Sequence, residues 1–176
     1  MTPQPRTIRL FLALWPDAAV RASIADHARN WAMPPGCLLY GPDDWHVTLH
    51  YIGGFALERL GGLADAIDLP LEPFDLRLDK PRVWPRGLVV LEASRVPDAL
   101  QDLQRRLGVV LAASGLRVEQ RSYRPHVTLA RRAEGALAPR GMPPVSWPAR
   151  TFVLVVSTGS RGRRYEVLRE YGRQAR

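Results

Sequence analysis

"WHVTLHYIG" runs from Trp45 to Gly53, and "RPHVTLARR" from Arg124 to Arg132. His-Val-Thr-Leu thus occurs at 46–49 and again at 126–129, in a chain with only 4 histidines. Val, Thr and Leu tolerate an extended backbone, in which successive side chains point to opposite faces. His46 and Thr48 therefore share one face of a strand, and Val47 and Leu49 the other. His126 and Thr128 oppose Val127 and Leu129 in the same way. The apolar pairs can pack each strand against covering helices, which leaves both polar pairs on the opposite side.

The flanking sequence reads as two copies of one unit. "TIRLFLALW" at 7–15 alternates, with Ile8, Leu10, Leu12 and Leu14 on one face and Arg9, Phe11, Ala13 and Trp15 on the other. Pro16-Asp17 then opens a helix with Val20, Ile24, Ala28 and Trp31 at helical spacing and His27 beside them, stopped by "MPPG" at 33–36. The first tetrapeptide lies in the next strand, "DDWHVTLHYIG", and a helix carrying Leu60, Leu63, Ala64 and Ile67 follows. "EPFDLRLDKPRVW" at 72–84 and "GLVVLEA" at 87–93 read as strands. Pro97-Asp98 begins a helix with Leu100, Leu103, Leu107 and Val110/Leu111 inward, ended by Gly115 ahead of the second tetrapeptide. Residues 134–150, rich in Pro, Gly and Ala, read as a loop. "TFVLVVSTG", a basic turn "SRGRR" and "YEVLREYG" close the chain. Each tetrapeptide follows a helix that follows a strand, a weak repeat of about 80 residues that predicts two similar α/β lobes facing one another.

Composition sets the outer limits. A length of 176 residues with 46% apolar side chains suits one domain or two small lobes sharing a core. The apolar runs are too short to span a bilayer, and the N-terminus lacks the cleavage pattern of a signal peptide, so a cytoplasmic protein is expected. A single cysteine, Cys37, excludes an internal disulfide framework. The formal charge of +8 is uneven: residues 1–88 carry nine Lys/Arg against ten Asp/Glu, residues 89–176 sixteen against seven. Lys80 is the only lysine. An arginine-rich half favours phosphate-bearing partners through bidentate contacts and steering.

Two lobes related by a rough two-fold would bring both polar faces to one cleft, with two imidazoles opposed. One, neutral, can take a proton from a nucleophile while the other, charged, gives one to a leaving oxygen. The threonine hydroxyls beside them can donate to a phosphoryl oxygen. Attack at phosphorus, with neither metal nor cofactor, is the chemistry that fits. His46 and His50 do not form a metal pair, because four residues along a strand separate them by about 13 Å. No carboxylate joins them.

On these residues the chain resembles the 2H phosphoesterase superfamily, named for two His-x-Thr/Ser-x motifs. More closely it resembles the bacterial and archaeal RNA 2′,3′-cyclic phosphodiesterases, historically called 2′-5′ RNA ligases. The matching stretches are "RLFLALWPD" at 9–17, "DDWHVTLHYIG" at 43–53, "RPHVTLAR" at 124–131 and "VSTGSRGRRYEVL" at 156–168, so the likeness runs from Arg9 to about Tyr171. The resemblance implies a single bilobal α+β domain over 1–176, with antiparallel sheets lining a central cleft and helices outside. It implies hydrolysis of a terminal 2′,3′-cyclic phosphate to a 2′-phosphate, with 2′-5′ ligation of RNA such as tRNA halves as a related activity; separately, a monomer is expected. His46 is then the general acid and His126 the general base, with Thr48 and Thr128 on the nonbridging oxygens.

The resemblance also places a phosphate-contacting arginine at Arg131. Strict alternation from His126 points Arg131 to the wrong face, so a bulge or strand end must turn it inward. Phe11 is the flat partner expected for the terminal base, with Trp45, Tyr51, Trp84 and Tyr123 as further aromatics. Arg161, Arg163 and Arg164 are expected on more distant phosphates, and Ser157 and Tyr165 along the groove. His50 stands on the cleft face if alternation persists, where relatives carry a small or variable residue, and is expected to tune substrate preference. Two other readings fit the sequence: a 2H enzyme acting on a small cyclic nucleotide or a 2′-5′ oligonucleotide, and a nonenzymatic RNA-binding protein.

Overall fold

The computed structural model of the chain describes residues 6–160 and 162–172. The chain forms β1 (Thr7–Leu14), α1 (Ala18–Arg29), the two-residue β2 (Leu38–Leu39) and β3 (Val47–Ala56). A 3-10 turn leads into α2 (Leu60–Ala66), followed by β4 (Phe74–Leu78), β5 (Lys80–Trp84) and β6 (Leu88–Glu92). Helix α3 (Asp98–Ala113), β7 (His126–Arg131), β8 (Val145–Ala149), β9 (Phe152–Ser157) and β10 (Tyr165–Tyr171) complete the fold. The main sheet has the order β10-β9-β1-β3-β7-β6-β5, with β2 against β7, and β4 pairs with β8 in a small second sheet. All of these pairings are antiparallel, in an α+β fold.

The repeat is visible in this order. β1-α1-β3 forms one lobe and β6-α3-β7 the other. They meet at the centre of the sheet, where β3 and β7 share one register pair, Val47↔Val127. On the far sides, Leu14 pairs with Val47 and Leu91 with Val127. These four residues are fully buried in the main core, so an apolar row crosses both lobes. Leu10, Leu12 and Leu14 face that core, together with Val20 and Ile24 of α1 and Leu100, Leu103, Leu107 and Leu111 of α3. Phe11 and Ala13 face the other way and pack with Val153, Val155, Trp15 and Tyr165. Both helices thus begin where the sequence places them, and Asp17 caps α1 by accepting from the Val20 amide at 2.9 Å.

Strict alternation fails at one place common to both lobes, just after the motif threonine, and β3 carries a second register shift where Leu10 pairs with Gly53 and Phe11 with Tyr51. Along β1, Ala13 pairs with Thr48 and Leu12 with His50, so Leu49 is the extra residue of a bulge. Along β6, Val90 pairs with Thr128 and Val89 with Ala130, so Leu129 is extra in the same way. Residues 45–50 and 125–130 consequently share one pattern of burial, with only His and Thr of each half-exposed. Past the bulge, side chains exchange faces.

Two segments differ from the sequence reading. The stretch 72–84 is two strands, broken at Asp79. Its amide donates to Glu92 O at 3.0 Å, and its carboxylate accepts from the amide and hydroxyl of Ser94 at 2.8 and 2.6 Å. The segment expected as loop contains β8, whose Val145, Trp147 and Ala149 are buried opposite β4 while Ser146 and Pro148 are exposed. His27, placed beside the helix stripe, is buried and its Nδ1 accepts from Trp31 Nε1 at 3.3 Å. Among the described residues no helix is long and apolar enough to cross a membrane.

His50 is the buried polar tie between lobes. It leaves β3 on the helix side, is 4% exposed, and its Nε2 lies 2.6 Å from Gln104 O of α3. Gly108 lets the helix come this close, since a Cβ there would sit 3.4 Å from the ring. A carbonyl only accepts, so Nε2 carries the hydrogen. Burial holds this imidazole below its ordinary range, as it does His27, His46 and His126. Lowered folded-state values mean that the unfolded chain binds more protons below about pH 6.5, so stability falls with falling pH. The urea midpoint should therefore drop between pH 7 and pH 5, and His50→Leu should reduce that drop. An unchanged pH slope in His50→Leu would show that His50 contributes nothing to it.

Candidate active site

The single pair at Val47↔Val127 brings the two motifs together. Extended one residue either way, this register sets His46 across from Thr128 and Thr48 across from His126. All four lie on the face away from the helices, around a local two-fold through the valine pair.

Each histidine is anchored alike. His46 Nδ1 lies 2.7 Å from Asp44 O, and His126 Nδ1 lies 2.7 Å from Arg124 O. Both acceptors are the carbonyl two residues earlier. Each Nδ1 therefore carries its hydrogen, and each Nε2 is left for a ligand. Thr48 is steadied from the opposite lobe, because the Tyr123 hydroxyl donates to Thr48 O at 3.0 Å.

The surroundings of the two rings differ. His46 sits among aromatics: Phe11 at a centroid distance of 4.8 Å, Tyr165 at 5.2 Å and Trp15 stacked at 5.7 Å with an interplanar angle of 11°. Burial in this apolar cage pushes its pKa down to about 4, against the opposing effect of the Asp44 carbonyl and with a smaller contribution from His126. His126 packs on Trp84 at 4.5 Å and faces Glu92, its register partner on β6. Burial lowers His126 too; the Arg124 carbonyl and Glu92 raise it, and the Arg124 and Arg131 charges lower it.

Arg131 is on the cleft side. The bulge at Leu129 turns it there, its guanidinium lies 5.7 Å from the Tyr40 ring, and its charge acts on both His126 and Tyr165. The bulge thus removes the obstacle that strict alternation posed to a cleft-facing Arg131. Arg164 covers the same tyrosine at 4.6 Å and pairs with Asp44 at 3.4 Å. Ser157, Arg164, Tyr165 and Leu38 line a cavity of about 420 Å³. Arg163 is exposed on the rim of a second one of about 560 Å³, with Trp15, Asp44 and Arg164. Arg161 lies outside the described residues.

Two sequence expectations need correction. His50 does not share the cleft face, because the bulge at Leu49 sends it into the interface with α3. Phe11 does face the site, but it is 4% exposed beneath His46 and Tyr165 and has no open ring face for a base. Tyr51, its register partner on the same side of the sheet, is 65% exposed. Trp45 is buried with its indole on Tyr40 O at 3.0 Å, and Trp84 is held between His126 and Arg124. The sequence reading missed Trp15, Tyr40, and the ion pairs Asp44–Arg164 and Glu92–Arg124. Trp15 was legible as a member of the Phe11 face. Asp44 and Arg124 were legible only as residues two before each histidine.

The profile of the 2′-5′ RNA ligase superfamily matches residues 16–160. The chain belongs to this superfamily. Within it, the chain is 34% identical over 173 residues to the RNA 2′,3′-cyclic phosphodiesterase of Escherichia coli (strain K12), covering 93% of this chain and 95% of that protein. A solved phosphoesterase superposes with a TM-score of 0.83 at 29% identity, covering 96% of this chain and 98% of its own. E. coli LigT in complex with 3′-AMP superposes with a TM-score of 0.81 at 29% identity, covering 94% and 98%. The superfamily fold therefore extends over nearly the whole chain. Among the described residues, no group of three or more His, Cys, Asp or Glu side chains is arranged to hold a metal ion.

The aromatic cage makes a direct prediction. In ligand-free protein the His46 imidazole should titrate near pH 4 by NMR, far below the ordinary value of about 6.5. Phe11→Ala, which admits water to one side of the ring, should move the midpoint upward. A wild-type midpoint near 6.5 would contradict the cage as the cause.

Proposed function

We propose that the chain hydrolyses RNA ending in a 2′,3′-cyclic phosphate to the 2′-phosphate, by two-histidine acid–base catalysis without a metal or other cofactor. The observation that carries this reading is the paired Nε2 atoms, each freed by the same Nδ1–carbonyl bond, on either side of one register pair. The related E. coli protein named as an RNA 2′,3′-cyclic phosphodiesterase supports the substrate class.

In this mechanism the neutral Nε2 of His126 takes a proton from water as its oxygen forms a bond to phosphorus. The bond from phosphorus to the 3′ oxygen breaks, and Nε2–H of His46 protonates that oxygen. The phosphate stays on the 2′ oxygen. Thr48 and Thr128 donate to nonbridging oxygens, and Arg131 offsets the charge that builds on them. A bound phosphate anion favours imidazolium over neutral imidazole, which supplies the proton that the empty His46 site does not hold at neutral pH. Ligation through a 2′-5′ linkage is the reverse of the same steps, with the histidines exchanging roles.

Tyr51 takes the place assigned to Phe11 as the exposed aromatic for a base, and Ser157, Arg163 and Tyr165 border the groove along which the RNA continues. Cleaved RNA such as tRNA halves is the proposed partner, met by a cytoplasmic monomer. The cleft is built within one chain, and the arginine-rich second half suits an RNA backbone.

His46→Ala and His126→Ala should each lower kcat by about 10²–10⁴-fold, the usual range for a general acid or base. Arg131→Gln should lower kcat/KM by about 10–100-fold, the loss of one charged hydrogen bond. The assay uses cyclic-phosphate-terminated oligonucleotides beside cyclic mononucleotides, in EDTA, with the position of the product phosphate determined. A 3′-phosphate product, or loss of turnover in EDTA, would refute the mechanism. Turnover of mononucleotides alone would shift the substrate class to a small cyclic nucleotide.

A further inference from the structure

The residues two before each histidine use their carbonyls identically and their side chains oppositely. Asp44 is an anion paired with Arg164; Arg124 is a cation paired with Glu92. The second pair is the tighter one. Arg124 Nε and Nη2 donate to the two Glu92 oxygens at 2.8 and 3.0 Å. Glu92 is 7% exposed and stands beside His126 in strand register. The Arg124 guanidinium lies 4.4 Å from the Trp84 ring, which in turn packs on His126. A closed circuit results: the His126 ring touches Trp84, Trp84 carries Arg124, Arg124 is clamped by Glu92, and the Arg124 carbonyl holds His126 Nδ1.

Glu92 is buried in strand register with His126 and its charge acts on that imidazole, whereas the carboxylate near the other ring, Asp44, acts on Tyr165. We propose that Glu92 is a positioning residue, which acts through Arg124 to fix the His126 ring and which supplies the negative charge that balances Arg124 beside it. The inference builds on the reaction proposed above. Remove the Glu92 charge, and the Arg124 cation stands uncompensated beside the imidazole. Remove the Arg124 charge, and the carboxylate does. The two changes therefore push His126 in opposite directions, which loss of packing alone would not do. The other charged groups facing this corner are Arg131 on β7, and Arg82 and Lys80 on β5, the latter the register partner of Glu92. His46 faces it from the head of β3.

The test is an NMR titration of the His126 imidazole in ligand-free protein, assigned by comparison with His126→Asn. Glu92→Gln should lower the midpoint and Arg124→Gln should raise it, each by about half a pH unit or more, as expected for one charge added or removed at close range. The double variant should return near the wild-type value. In hydrolysis, Glu92→Gln should lose about 10–100-fold in kcat with KM little changed, the range carried by partners that orient a functional histidine. Midpoints that move the same way, or not at all, would overturn the proposal, as would wild-type kcat in Glu92→Gln. The titration is read without substrate, so absence of cyclic-phosphate hydrolysis in the wild-type protein would refute the reaction and leave the charge balance at His126 still judged by its midpoints.

Discussion

One backbone contact organises the molecule: the antiparallel pairing of Val47 with Val127. Each strand begins there and runs away from the other, so the two lobes share a single register pair and then separate. The helices cover one face of the sheet and leave the other open. Because the pair is the second residue of each His-Val-Thr-Leu, the polar residues on either side of it face each other across the local two-fold. The burial of both valines, with Leu14 and Leu91 flanking them, fixes this register, since a slip of one residue would turn four apolar side chains to the open face. The site is thus a by-product of where the core must lie.

The repeated bulge is the second constraint. A regular strand would give each lobe a cleft-facing residue at every other position. The extra residue at Leu49 and Leu129 breaks this after the threonine. In one lobe it delivers Arg131 to the cleft side, where its charge acts on His126. In the other it delivers Tyr51 to that side and buries His50 against α3, where it binds the lobes together. The same backbone irregularity therefore gives two different chemical outcomes, set by which side chain occupies the position.

The two-fold is broken in the same spirit around the histidines. One ring is packed by Phe11, Trp15 and Tyr165, the other by Trp84 with an ion pair alongside. A symmetric backbone holds both imidazoles in the same tautomer, and burial favours the neutral form of each. General acid–base catalysis by two such groups needs one of them protonated, and a bound anion is what can supply that bias.

The sequence by itself determined the repeat, the strand and helix that precede each motif, the apolar faces of β1, α1 and α3, and the pairing of His with Thr on one side. These follow from local periodicity, which packing against a core enforces. Residues past the bulges were not legible, because a bulge is fixed by the partner strand and leaves no mark on alternation within Leu49-His50 or Leu129-Ala130. Only the tertiary structure decided that Phe11 is a floor, that Tyr51 is open, that Asp79 splits a strand, and that Glu92 and Arg124, 32 residues apart, form one unit. Charge balance around a side chain depends on through-space distance, and the chain supplies that distance only once its strands have paired.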